Sequence, residues 1–119
     1  MSDEFLRVAT AEINEELSAI RTILDSCQND SDISKNSYKI EQGMHKIKGL
    51  APMMGKQNIG DLAKTLDMIL KKIIAGQKVD NFLNPLCVSV DHMTEAMEKS
   101  RDLGSIHKEI SHIASKIAD

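Results

Sequence analysis

Residues 40–74 run IEQGMHKIKGLAPMMGKQNIGDLAKTLDMILKKII, and this stretch decides the fold. Its apolar residues recur at spacings of three and four, the period of a helix with one buried face. Ile40, Met44, Ile47, Ala51 and Met54 form one stripe. Gly55 interrupts it, as expected of a residue that adopts the left-handed conformation at a helix end. Ile59, Leu62, Leu66, Ile69, Leu70 and Ile73 form the next stripe, closed by Gly76.

The same period continues on both sides. Upstream, Leu6, Ala9, Ile13, Leu17, Ile20 and Leu24 predict a first helix, and the polar run Gln28 to Ser34 predicts the loop after it. Downstream, Phe82, Leu86, Val90, Met93 and Met97 predict a fourth helix, capped by Asp80 or Asn84 with Pro85 in its first turn. Gly104 should break that helix, and Ser105 should cap a fifth carrying Ile106, Ile110, Ile113 and Ile117. No stretch alternates as a strand would. The expected fold is all-α: an antiparallel up-and-down four-helix bundle over about residues 3–103, with an additional C-terminal helix over about 105–118. A chain of 119 residues fits one domain.

Composition narrows the function. The chain is 41% hydrophobic but only 3% aromatic, so its core is built from Leu, Ile, Met, Val and Ala. The formal net charge is -3 and there is no basic run, which argues against a nucleic-acid partner. No apolar run approaches membrane-spanning length, so no membrane insertion is expected. The start MSDEFLRV lacks the layout of a signal peptide. Cys27 and Cys87 lie far apart without metal-ligand spacing and read as free thiols. A soluble cytoplasmic domain is the expectation.

His45, Lys48 and Gly49 are the residues with chemistry to explain. On a helical wheel His45 points roughly 140° from the centre of its stripe, and Gly49 almost opposite the core. Lys48 and Gly49 lie one turn on, as surface neighbours of the imidazole. A glycine inside a helix costs about 1 kcal/mol relative to alanine. Gly49 leaves a bare patch where another protein can approach, and Gly43 is read the same way. A neutral imidazole with one nitrogen fixed by a carboxylate is a nucleophile at neutral pH. Lys48 can offset phosphoryl charge. The orienting carboxylate is either Asp67, on the flank of the third helix, or Glu41, one turn before His45. Lys71 and Lys72 are assigned to solvated surface. His92, His107 and His112 lack metal-ligand spacing, and no metal site is expected. Pro52 should kink the last turn of the second helix. Met53, off the stripe, and the isoleucine face of the fifth helix are candidate docking surfaces.

The run His45-Lys46-Ile47-Lys48-Gly49 resembles the H-x-x-K-G motif of histidine phosphotransfer (HPt) domains. FLRVA near the start, HKIKGLAPMMG and IGDLAKTLDMIL extend the likeness over roughly residues 3–100, and it is greatest to the HPt domains of CheA-type chemotaxis histidine kinases. The resemblance implies that His45 accepts a phosphoryl group from a histidine kinase catalytic domain. It then passes the group to an aspartate of a CheY-like response-regulator receiver domain. ATP and Mg²⁺ would come with those partners, so no cofactor is expected on this chain. Two positions depart from the pattern. The third helix of such domains carries a histidine and, three residues later, a glutamate that bonds the imidazole; here they are Lys64 and Asp67. Lys64 would add positive charge near the phosphoryl group, and the shorter Asp67 predicts a longer orienting bond. The alternative is a non-catalytic helical adaptor.

Overall fold

The structure is a computed structural model and describes residues 2–117. It is all-helical, with five helices and no strand among the described residues: α1 (Asp3–Asp25), α2 (Asp30–Met53), α3 (Gln57–Ile74), α4 (Leu83–Glu98) and α5 (Gly104–Ser115). Helix α5 ends at Ser115, short of the expected 118, with Lys116 and Ile117 outside it; residue 118 itself lies outside the described residues.

Each stripe anticipated from the sequence faces inward. Ile13, Leu17 and Ile20 of α1, Ile40, Met44 and Ile47 of α2, and Leu62, Leu66 and Ile69 of α3 are almost fully buried. With Phe82, Leu86, Val90, Met93 and Ile110 they form one continuous core. Helix α2 packs against α1 and most extensively against α3; α4 packs against α1, and α5 lies across α3 and α4.

The ends of the helices depart from expectation in three places. The polar run 28–34 is mostly helix, not loop. Asn29 caps α2 by accepting from the Asp32 amide at 2.9 Å, and Asp32 accepts from the Gln28 amide at 2.8 Å. Ser31 and Asp32 thus occupy a first helical turn, where acidic and polar residues are favoured. Neither Asp80 nor Asn84 caps α4. The carboxylate of Asp30, at the start of α2, accepts from the amides of Asn81, Phe82 and Leu83 at 2.8, 3.0 and 3.0 Å. Ser105 does not cap α5, which already begins at Gly104; Asp102 accepts the Gly104 amide at 2.8 Å.

Gly55 (φ 82°) and Gly76 (φ 102°) end α2 and α3 in the left-handed conformation. At the first, the Lys56 amide bonds Ala51 O and the Gly55 amide bonds Pro52 O; at the second, Gln77 bonds Lys72 O and Gly76 bonds Ile73 O. Both are Schellman closures. Helix α2 continues through Pro52, whose ring lies where a Cβ on Gly60 would stand 2.5 Å from Pro52 Cγ. Gly60 therefore lets α3 approach the proline turn.

Candidate functional site

The inward stripe of α2 leaves His45 on the outer face, with its side chain 58% exposed. The ring is not free to turn at random. Nδ1 faces two carboxylates: Asp67 Oδ2 at 3.4 Å and Glu41 Oε2 at 3.8 Å. Nε2 has no hydrogen-bond partner among the described residues. The arrangement favours the tautomer whose Nδ1–H donates to a carboxylate and whose Nε2 carries the lone pair. The 3.4 Å separation is long for a hydrogen bond, in keeping with an aspartate, one methylene shorter than glutamate, at this position.

Asp67 is the hub. It was expected on the flank of α3, yet its side chain is only 3% exposed. Such burial disfavours a carboxylate, and its neighbours reverse the effect. Lys48 Nζ and Lys71 Nζ each lie 3.0 Å from Oδ2. Burial pushes the Asp67 pKa up, but hydrogen bonding with Glu41, Lys48 and Lys71 outweighs it and holds the value at about 2. Lys71 is held above the usual lysine range chiefly by its bond to Asp67. Glu41 moves the other way: contact with the Asp67 carboxylate, then burial, raises its pKa.

Lys71 is exposed, as expected of a surface lysine, but its ammonium group is also paired with Asp67. Lys71 lies four residues after Asp67 on α3, a spacing that places the two side chains together; that spacing was the available signal. Lys48 is half-buried and tied to Asp67, so its charge is held on the imidazole's flank. Lys64 makes no ion pair with Asp67 among the described residues, but it lines the same groove of about 640 Å³ as Asp67, Lys48, Met68, Lys71 and His107.

The two glycines separate. Gly49 is exposed, and a Cβ there would meet nothing within 4 Å, so the bare patch beside His45 exists. Gly43 is buried; its Cβ would stand 2.8 Å from Ile20 Cδ1, so this glycine serves the close packing of α2 on α1, not access. Met53, one turn past Gly49, is exposed.

Among the described residues, one group of side chains has donor atoms close enough for a metal ion: Glu41, His45 and Asp67, within 4.8 Å of one another. A dication binding through Asp67 Oδ2 would compete with the ammonium groups of Lys48 and Lys71. His92 instead lies 2.6 Å from the Arg101 guanidinium, and His107 lies 3.0 Å from Thr65 Oγ1, joining α5 to α3. Cys27 and Cys87 are free thiols. No helix among the described residues is long and apolar enough to cross a membrane. No protein-family model matches this chain, and neither a curated protein nor a solved structure matches it.

Proposed function

We propose that this chain is a phosphohistidine carrier of the HPt type. It accepts a phosphoryl group on His45 from a CheA-type kinase domain and donates it to an aspartate of a receiver domain. The observation that carries this reading is an exposed imidazole whose Nδ1 faces a buried, ionised Asp67 while its Nε2 has no partner among the described residues. The proposed arrangement is an antiparallel up-and-down four-helix bundle with α5 added. The neighbour relations α1 with α2, α2 with α3 and α1 with α4 support it.

Nε2 of the neutral ring attacks phosphorus; the N–P bond forms as the bond from phosphorus to the donor oxygen breaks, and the departing oxygen keeps the electron pair. The ring becomes a phosphorylated imidazolium, whose Nδ1–H is held against the Asp67 carboxylate. Lys48 and Lys71 place positive charge on that flank, where it offsets the incoming phosphoryl oxygens. In the return step an aspartate oxygen of the receiver attacks phosphorus, the N–P bond breaks, and its electrons return to Nε2. The carrier contributes positioning; ATP and Mg²⁺ belong to the partners. The open surface at Gly49 lets a partner's backbone come close to the ring.

The test is direct. The protein is incubated with a CheA-type kinase domain and ATP, and acid-labile, alkali-stable phosphate is measured. The wild type is expected to label and His45→Gln to stay unlabelled. Label that persists in His45→Gln moves the site elsewhere. Absence of label with competent kinases turns the assignment to a helical adaptor.

A further inference from the structure

Two carboxyl groups, Glu41 and Asp67, meet beneath one imidazole, and among the described residues only Asp67 has ammonium partners. Both lysine contacts fall on Oδ2 of Asp67. Its other oxygen, Oδ1, is buried and has no hydrogen-bond partner among the described residues. A buried acceptor in that state is costly. Glu41 is itself largely covered, with a side chain 12% exposed, and approaches Asp67 across the α2–α3 seam.

We propose that Glu41 is a second positioning residue of the site: it holds a proton and donates it to Oδ1 of Asp67, which keeps Oδ2 turned toward Nδ1 of His45. The inference rests on the phosphocarrier reading only for its biological use; the hydrogen bond itself does not depend on it. The sequence posed Glu41 and Asp67 as rivals for one task. Here they divide it: Asp67 holds the ring, and Glu41 holds Asp67.

The surroundings of Glu41 bear on its proton from three helices. On α3, the Asp67 carboxylate favours the protonated form and Lys71 opposes it. On α2, a positive charge on His45 also opposes it. On α1, Glu16 lines the same groove, but it is paired with Lys46 at 3.4 Å. The raised pKa of Glu41 agrees with a proton-sharing pair. Coupling to the ring follows. When His45 becomes cationic, on protonation or phosphorylation, the proton of Glu41 is released more readily. The second carboxylate then faces the positive ring.

The deciding NMR measurement uses the whole chain and needs no phosphoryl transfer, so it can fail while the carrier assignment stands. Carboxyl carbons and imidazole nitrogens are followed by NMR against pH in the wild type, Glu41→Gln and Glu41→Ala. Glu41 is expected to titrate above an ordinary glutamate. Glutamine retains a donor for Oδ1 at every pH, so Glu41→Gln is expected to keep the Nδ1–H tautomer of neutral His45 independent of pH. In Glu41→Ala the tautomer preference is expected to drop about threefold or more, the size of one lost hydrogen bond. In the wild type the preference should weaken as Glu41 ionises. As a separate readout, phosphorylation of His45 by phosphoramidate should be faster in Glu41→Gln than in Glu41→Ala. Titration of Glu41 at or below the ordinary glutamate value overturns the proposal, and so does a Glu41→Gln protein that behaves as Glu41→Ala.

Discussion

At the scale of single residues, the site is governed by one buried charge. Asp67 would be an unfavourable carboxylate inside the α2–α3 seam without Lys48 and Lys71, and the network lowers its pKa from 3.8 to about 2. The sign of the linkage follows. A depressed carboxylate stabilises the fold above its unfolded value and loses that contribution as pH falls through its folded one. The contribution is roughly 2 kcal/mol at neutral pH, present in full above about pH 5 and fading toward pH 2. Urea unfolding of Asp67→Asn against pH should therefore show a lower stability at pH 7 and a flatter acid limb than the wild type. Equal acid limbs would show that the charge is not stabilising. Glu41 has the opposite sign: its contribution is full at low pH and lost as pH rises through its raised pKa. Alone, His45 is an ordinary surface histidine; the carboxylate behind it gives the ring a direction.

At the scale of helices, glycines with similar sequence surroundings do different work. Gly49 has open space around its Cα, so Gly49→Ala should raise stability by about 0.5–1 kcal/mol through helix propensity alone. Gly60 faces the rigid ring of Pro52, which cannot swing away, so Gly60→Ala should lower stability by about 1–3 kcal/mol. Thermal or urea unfolding of the pair reads both signs. The start of α4 depends on α2: Asp30 accepts from the first amide of α4 and from the two before it, about fifty residues away. Asp30→Ala should cost about 1–3 kcal/mol. Hydrogen exchange should rise at Phe82 and Leu83 well before it rises in mid-α3. Uniform protection across α4 in that variant would show that the cap does not hold the helix end.

At the scale of the whole molecule, the helices enclose one core within a body of 42 × 25 × 21 Å. Helix α5 is part of that core, since Ile106 and Ile110 are buried and His107 reaches Thr65 on α3. This bears on the expectation that its isoleucine face is a docking surface: the first two of its four isoleucines are covered, and Ile113 and Ile117 are partly buried against the core. Ile110→Ala should destabilise the whole protein by roughly 2–5 kcal/mol, as a core deletion does. An exposed surface position would lose far less, and urea unfolding separates the two. The outer side of the α2–α3 pair keeps His45, Gly49 and Met53 accessible because α5 packs on α3 and α4 instead.

What the sequence by itself determined was the set of helices, their inward faces, and the outward direction of His45 and Gly49. Those follow from the 3.6-residue period and from glycine at helix ends, which are local properties of the chain. Tertiary structure alone decided which polar groups met. That Asp67 is buried, that Lys48 reaches it from α2, that Gly43 serves packing and that Asp30 caps α4 all depend on how separate helices sit against one another. No local pattern encodes those distances, and the charge on a carboxylate is set by neighbours that the fold, not the adjacent sequence, brings to it.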